Sequence, residues 1–394
     1  MKKNIVVALS GGVDSSVSAL LLKKMGYNVI GIFIKIFNKN FGYCNWNRDS
    51  IDAMIISEKI GIPFYIIDLS KQYKEYVLKY IYNEYSIGRT PNPDVICNEK
   101  IKFDYLLKKA FYLGANKIAT GHYAKIKKIK KNKKKIYSLF CGKDEKKDQS
   151  YFLCKLNQYQ LSKIIFPLGE LNKKKVRKIA FDYGLINYDK KDSQGICFIG
   201  KIKLPFFLKK KIKEKKGKII KISKNSIIYD IYKKNISFIT SKIKLLYFLS
   251  KKIVYKKEYG EVIGYHNGAF SFTIGQRKGL KIGGYKKPLF VINTNILENN
   301  VYVGMGKYHP GLYKKVIFLK KKRISWLRND LIKNNKTMKI KCRIRYRQKL
   351  QNAYLYNIYN GIFIEFEKMQ KSVTNGQFVV WYNKYKELIG SGII

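Results

Sequence analysis

The chain is 394 residues long and 46% hydrophobic, with 81 Lys+Arg against 26 Asp+Glu and a formal net charge of +55. That length accommodates two or three domains with real cores, and the lack of a long apolar stretch or of a signal-peptide pattern after Met1-Lys2-Lys3 predicts a soluble cytoplasmic protein. Six Cys, at 44, 97, 141, 154, 197 and 342, include no Cys-x-x-Cys pair, which argues against a secreted disulfide scaffold and against a zinc or iron–sulfur knuckle.

The first element, Asn4-Ile5-Val6-Val7-Ala8-Leu9, has the β-branched content of a buried strand, and Val17, Leu20 and Leu21 with Gly26 behind them read as a helix and its stop. Between them lies Ser10-Gly11-Gly12-Val13-Asp14-Ser15-Ser16. A loop entering a helix presents unpaired N–H groups and the positive end of the helix dipole, and Gly11 and Gly12 let a phosphate approach the backbone. Ser10, Ser15 and Ser16 are expected to add hydroxyl donors. No Gly-x-x-x-x-Gly-Lys-Ser/Thr occurs; Asp14 stands in the loop instead of a Lys, and a carboxylate beside phosphates calls for Mg²⁺ arriving with the nucleotide. The competing reading is a Gly-Ser turn with a helix cap. In its strand–loop–helix setting the segment resembles the PP-loop signature of the ATP pyrophosphatase superfamily, which implies transfer of AMP to a substrate oxygen and release of pyrophosphate.

Further strands are predicted at 28–37, 64–69 and 117–120, and helices at 49–59, with Ile51, Met54 and Ile55 on one face, and at 103–113. Strands alternating with helices predict an α/β fold with a parallel, doubly wound sheet, whose ligand loops at the strands' carboxyl ends include 10–16 and Thr120-Gly121-His122. Residues 205–263 are rich in Lys, Ile and Tyr without a motif and read either as compositional drift or as a small domain. From 264 onward, short alternating segments with turn signals at Asn299-Asn300 and Asn360-Gly361 predict a small all-β barrel.

Within that barrel, the stretch 338–347 alternates so that Lys339, Lys341, Arg343, Arg345 and Arg347 share one face while Cys342 points inward with Ile340 and Ile344. The overall charge is a weaker guide. Only nine of the basic residues are Arg and 72 are Lys, in a chain also crowded with Ile, Asn and Tyr, as A/T-rich codons would produce. A retained Arg is the informative residue, suited to forked contact with phosphate or base. The 338–347 face is therefore read as contacting a phosphate backbone, with a solvated outer face as the alternative.

Several segments together carry a closer resemblance. They are Gly88-Arg89-Thr90-Pro91-Asn92-Pro93-Asp94-Val95-Ile96-Cys97-Asn98, Ala119-Thr120-Gly121-His122-Tyr123-Ala124, Lys147-Asp148-Gln149-Ser150-Tyr151-Phe152, Ser193-Gln194-Gly195-Ile196-Cys197-Phe198-Ile199-Gly200, Ile274-Gly275-Gln276-Arg277-Lys278-Gly279 and Arg345-Tyr346-Arg347-Gln348. With the PP-loop, in order over 1–203 and 264–394, they resemble the bacterial tRNA-specific 2-thiouridylase family. The resemblance implies an adenine nucleotide alpha-hydrolase-like catalytic domain over 1–204, a central tRNA-contacting region with a divergent insertion over 205–283, and a C-terminal β-barrel over 284–394. It implies that the C2 oxygen of the wobble uridine in tRNAs for Lys, Glu and Gln is replaced by sulfur at the expense of ATP with Mg²⁺. The chemistry is coherent: a pyrimidine oxygen is a poor leaving group until adenylated, and sulfur must then arrive as a nucleophile.

By the same resemblance, Cys197 takes sulfane sulfur from a donor protein, a cysteine desulfurase or a relay protein, as a persulfide. Cys97 completes the transfer and leaves a Cys97–Cys197 disulfide. Asp94 falls at the target base as a general acid/base candidate, its competing role being a helix N-cap or Asx turn. ATP contacts are implied for Ala8, Leu9, Ser10, Gly11, Gly12, Val13, Asp14, Ser15, Ile34 and Gly121. tRNA contacts are implied for Asn92, Pro93, Asp94, His122, Lys147, Asp148, Gln149, Arg345, Tyr346 and Gln377, although strand alternation turns Tyr346 inward. Cys44, Cys141 and Cys154 match no motif and are taken as structural. Ile34 departs from the family's usual Met, Ala8 from a more usual Gly, and 223–259 is longer and richer in Lys and Ile. The rival readings are another PP-loop ligase or amidotransferase, whose companion features are missing, and a degenerate tRNA-binding protein, which predicts an eroded loop or a lost cysteine.

Overall fold

The computed structural model describes residues 3–36, 46–131, 133–192, 195–198, 204–209, 211–332 and 337–394. Cys44, and Ser193, Gln194, Ile199 and Gly200 of the second cysteine motif, lie outside them. Strands β1 (Asn4–Ala8), β2 (Asn28–Lys35), β3 (Phe64–Asp68) and β4 (Lys117–Ala119) precede a hairpin of β5 (Ala124–Lys131) and β6 (Lys134–Cys141), and β7 (Ile164–Ile165) follows. The first sheet has the order β3-β2-β1-β4-β7, all parallel, with Val6 opposite Ile30 and Ile118. Its central strand is apolar on both faces because both are covered. Val6 packs with Ile32, Phe103, Leu106 and Ile118, whereas Ile5 and Val7 pack with Val17, Leu20, Ala53 and Ile56. Each of the larger of these side chains contributes about 1.5–3 kcal/mol through burial. Strand order reverses between β1 and β4, so the loops after these two strands open onto one crevice, as expected of a doubly wound sheet.

Two helices differ from expectation. Helix α1 (Val13–Lys24) lies as predicted, but α2 (Trp46–Ile60) buries Ser50, Ala53, Ile56, Ser57 and Ile60, leaving Ile51, Met54 and Ile55 exposed. Small side chains let this helix approach the sheet: a Cβ on Gly31 would meet Ser57 Oγ, and one on Gly11 would meet the Asp49 carbonyl. The helix predicted at 103–113 starts ten residues earlier, running through an α-helical turn Pro93–Ile96, a π-helical segment Cys97–Tyr105 and a final α segment Leu106–Tyr112.

The region without a readable motif is folded. Strands β8 (Gly217–Ile222) and β9 (Gly260–His266) flank helices Ile227–Ser237 and Lys242–Ser250, and β10 (Leu289–Asn295) and β11 (Asn300–Met305) complete a sheet ordered β10-β11-β8-β9. Asn299 turns the β10–β11 hairpin with φ 52°. Because β8 pairs in parallel with β11, the boundary expected between 283 and 284 gives way to one beyond Met305. Strands β12 (Tyr313–Lys320), β13 (Ile324–Trp326), β14 (Thr337–Arg343), β15 (Gln351–Ile358), β16 (Gly361–Lys371), β17 (Phe378–Tyr382) and β18 (Leu388–Ile393) form an antiparallel sheet ordered β12-β16-β15-β14-β17-β18-β13. Its end strands do not pair with each other among the described residues, which makes it a half-barrel.

The basic strand predicted at 338–347 stops at Arg343. Cys342, Ile340 and Ile344 do point into the core, but Arg343 is buried, and a turn follows in which Ile344 N–H donates to Gln348 Oε1 at 2.8 Å and Arg347 takes φ 63°. No single five-residue basic face exists. The half-barrel also closes the catalytic domain's core, since Phe378, Val380, Tyr382 and Leu388 pack with Leu139, Tyr151 and Leu153. Among the described residues no helix is long and apolar enough to cross a membrane.

Candidate active site

The Ser10–Ser16 loop sits at the switch point with α1 behind it. Gly12 caps α1 in extended conformation (φ −96°, ψ 154°) and supplies no side-chain acceptor to its first turn, which suits an anion. Gly11 has φ 68°. The Ser15 and Ser16 hydroxyls do not face outward as expected: both donate to the Gly12 carbonyl at 3.0 Å, and Ser15 Oγ accepts the Ser10 N–H at 3.1 Å, so they shape the loop. Gly121 closes the other side. A Cβ there would lie 2.7 Å from the Asp14 carbonyl carbon and 2.8 Å from Ser15 N. Ala8, Leu9 and Val13 lie along the same strand–loop–helix path, Leu9 tied to Ile32 O at 2.8 Å, and Ile34 is buried in neighbouring β2.

Asp14 has two partners on one oxygen. Tyr123 Oη donates to its Oδ1 at 2.7 Å and Lys173 Nζ at 2.6 Å. Lys173 also pairs with Asp192 at 2.7 Å, and Asp192 with Lys147. Although burial opposes it, hydrogen bonds from Lys147 and Lys173 hold the Asp192 carboxyl down at about 2. From the far side, Lys190 Nζ and Asn187 Nδ2 each donate to the Gly11 carbonyl at 3.1 Å.

The second half of the site joins segments distant in sequence. Asn92, and not Asp94, caps the Pro93–Ile96 turn by accepting the Val95 N–H at 3.4 Å. Asp94 Oδ1 instead accepts the Cys197 N–H at 3.0 Å, while Tyr73 Oη donates to the Cys197 carbonyl at 2.7 Å. Both cysteines are free, and their side chains meet closely enough to act on each other's ionisation. Cys97 is buried and Cys197 half-buried. Burial, then donation to Cys197, pushes the Cys97 thiol well up; the hydrogen bond from Cys97, then Lys102, brings Cys197 down to about 7 against burial. Burial raises the Asp94 carboxyl, opposed by the Cys197 N–H and Lys102. Burial, with Lys102 nearby, keeps His122 neutral, and its Nδ1 lies 2.7 Å from Thr120 Oγ1.

The residues expected at tRNA divide into two groups. Gln377 reaches from the half-barrel to the catalytic turn, donating to Thr90 O at 3.0 Å and Pro91 O at 3.2 Å, with Asn92 Nδ2 3.5 Å from its Oε1. Arg345 is exposed and Lys147 half-buried beside Asp192. Asp148, by contrast, turns its carboxylate inward to Arg343, Gly142 N and Ser150, and Gln149 accepts the Tyr123 N–H at 3.0 Å. Tyr346 lies in the turn after β14, where strand alternation no longer applies, and packs half-buried on Phe152 with ring centroids 4.4 Å apart. Lys102, Lys173, Asp192, Asn187 and Tyr73 were not picked out in the sequence. Among 72 lysines no single one stands out, and Asn187 and Tyr73 sit outside every motif.

A nucleotide loop at a sheet's switch point, without a P-loop lysine, places the molecule among PP-loop enzymes that use ATP. Residues 3–201 match the family described as tRNA methyl transferase HUP domain, 246–305 the tRNA methyl transferase PRC-barrel domain and 317–394 the Aminomethyltransferase beta-barrel domain. The chain is 56% identical over 393 residues to the tRNA-specific 2-thiouridylase MnmA of Karelsulcia muelleri, covering 100% of this chain and 99% of that one. It is 51% identical to the MnmA of Christiangramia forsetii and 49% to that of Flavobacterium johnsoniae, each covering 100% of both chains. The chain belongs to the MnmA family of tRNA-specific 2-thiouridylases.

Proposed function

We propose that this chain adenylates the C2 oxygen of the wobble uridine in tRNAs for Lys, Glu and Gln and replaces it with sulfur carried on Cys197. The observation that carries the reading is the meeting of Cys97 and Cys197, a hundred residues apart, beside Asp94, whose Oδ1 accepts the Cys197 N–H at 3.0 Å. In the first half, uridine O2 attacks the α-phosphorus of ATP, pyrophosphate leaves, and Asp94 takes the N3 proton. In the second, the Cys197 thiolate attacks the terminal sulfur of a donor protein's persulfide, whose S–S bond breaks as the donor thiol departs. The new terminal sulfur attacks C2 and AMP leaves. Cys97 then attacks Cys197 Sγ, loses its proton, and releases the sulfur with the base as a thiocarbonyl. Oxidation of the two thiols to a disulfide supplies the two electrons that reduce the sulfane sulfur, and a cytoplasmic thiol reductant reopens the bond.

The half-buried Cys197, and not the buried Cys97, is the one a donor protein reaches. Asp14 suits Mg²⁺, since its Oδ1 already draws the Lys173 ammonium. Among the described residues no group of three His, Cys, Asp or Glu side chains could hold a metal ion, and Asp14 is the residue that would hold Mg²⁺ arriving with the nucleotide. When bound, Mg²⁺ neutralises phosphate charge. A Cys197→Ser variant is expected to lose all thiolation, read by mercury-affinity electrophoresis of tRNA, while tRNA-dependent release of pyrophosphate persists. Full thiolation by that variant sinks the persulfide assignment.

A further inference from the structure

Lys102 is a half-buried lysine close to the two cysteines that the reaction above does not use. It lies five residues after Cys97. In an α-helix, five steps of about 100° would leave the two side chains roughly 140° apart. Here both sit in the π-helical segment Cys97–Tyr105, whose i→i+5 hydrogen bonds bring residues five apart to the same side, as in the bond from Leu106 N–H to Ile101 O. The Lys102 ammonium lies 5.7 Å from the centre of the Phe198 ring, next in sequence to Cys197, and acts electrostatically on Cys197, Cys97, Asp94 and His122. Among the described residues it forms no ion pair with a carboxylate.

An ammonium drawn half out of water is stabilised by a nearby counter-charge. Asp94, the nearest acid, is engaged with the Cys197 N–H and stands outside ion-pair distance of Lys102. The sulfur of Cys197 is what remains. We propose that Lys102 is a catalytic residue of the sulfur-transfer half of the reaction, the fixed cation that holds Cys197, and the persulfide built on it, as a sulfur anion. The proposal rests on the reading of Cys197 as sulfur carrier. It assigns Lys102 to two moments: when the Cys197 thiolate attacks the donor's terminal sulfur, and when the persulfide anion attacks C2. Lys102 neither gains nor loses a proton in either step. Although burial works against its charge, the two sulfurs and Asp94 outweigh it and raise the ammonium's pKa. Adenylation, carried out at the PP-loop, does not involve it.

The groups facing Cys197 are Cys97, Lys102 and Asp94, with Tyr73 on its carbonyl, so removing one positive charge leaves only neutral and negative neighbours. In Lys102→Met full-length enzyme, the pH midpoint for iodoacetamide alkylation of Cys197, followed by mass of its peptide, is expected to move from about 7 to at least about 8.5, the value of a free thiol. At pH 7 alkylation then slows about tenfold or more. Thiolation at pH 7 falls in step and recovers towards pH 9, tRNA-dependent pyrophosphate release stays within about twofold, and Lys102→Arg restores the low midpoint. Should the Met variant not fold, Lys102→Gln carries the same test with a polar side chain. An unshifted midpoint in either neutral variant that still releases pyrophosphate overturns the proposal. Full thiolation by Cys197→Ser, in contrast, overturns the sulfur-carrier reading and leaves the alkylation result standing on its own.

Discussion

Arg343 illustrates what an arginine does in a chain otherwise given over to lysine. Its guanidinium is buried against Asp148, contacts the Cys141 sulfur at 3.4 Å and lies 5.0 Å from the Tyr382 ring centre. Arg328 similarly spans Glu387, Asp330 and Ser138, and Arg177 donates to two carbonyls, Tyr188 O at 2.7 Å and Lys190 O at 2.9 Å. Arg328 and Arg177 make forked arrangements that a lysine cannot make. In these three arginines the partners are protein groups. Arg343→Met strands the Asp148 carboxylate in the interior, at an expected cost of about 3–5 kcal/mol, visible as a lower thermal midpoint. Arg343→Lys should recover only part of it. Cys97, Cys197 and Asp94 were legible because each stands in a distinctive run. Lys102 and Lys173 were not, because their roles arise only from what the fold sets beside them.

Elements were legible where periodicity decides them and illegible where close approach does. β1 announces itself through β-branched residues, yet α2 presents Ser50, Ala53 and Ser57 to the sheet and leaves its larger apolar residues outside, since backbone proximity favours small side chains there. The same principle governs the nucleotide loop. Gly121→Ala would force a methyl group against the backbone of Asp14 and Ser15, so ATP affinity is expected to fall at least tenfold in a protein that still folds, measured by equilibrium binding of a non-hydrolysable analogue. Gly26→Ala is the matched control: its φ of 84° strains alanine, but no atom lies within 4 Å of the added carbon, so about 1 kcal/mol of stability is lost with ATP binding unchanged. The π-helical segment was invisible to a reading based on 3.6 residues per turn, and it is this local register that puts Lys102 beside the cysteines.

At the scale of the whole molecule, the three parts share more than a chain. Gln377 of the half-barrel grips the Thr90–Asn92 turn, and Ser391 Oγ donates to the Cys154 carbonyl at 3.0 Å. A chain stopped at Gly376 removes Phe378, Val380, Tyr382 and Leu388 from the catalytic domain's core. Such a truncation is expected to lose hydrogen-exchange protection through residues 150–154 and to abolish tRNA-dependent pyrophosphate release, although every nucleotide-loop residue is present. Protection matching the full chain would show that the catalytic domain stands alone.

That shared core also has a clock. Tyr151 donates its hydroxyl proton to the carbonyl of Phe378, 227 residues further on. At about 5–20 residues per second, the face around Leu139, Tyr151 and Leu153 waits roughly 10–45 s for its partner to be synthesised. During that interval a large apolar surface is open on a nascent chain. Yield of this enzyme in the cell should accordingly depend on translation speed and on the supply of holding chaperones more than on the stability of the finished fold.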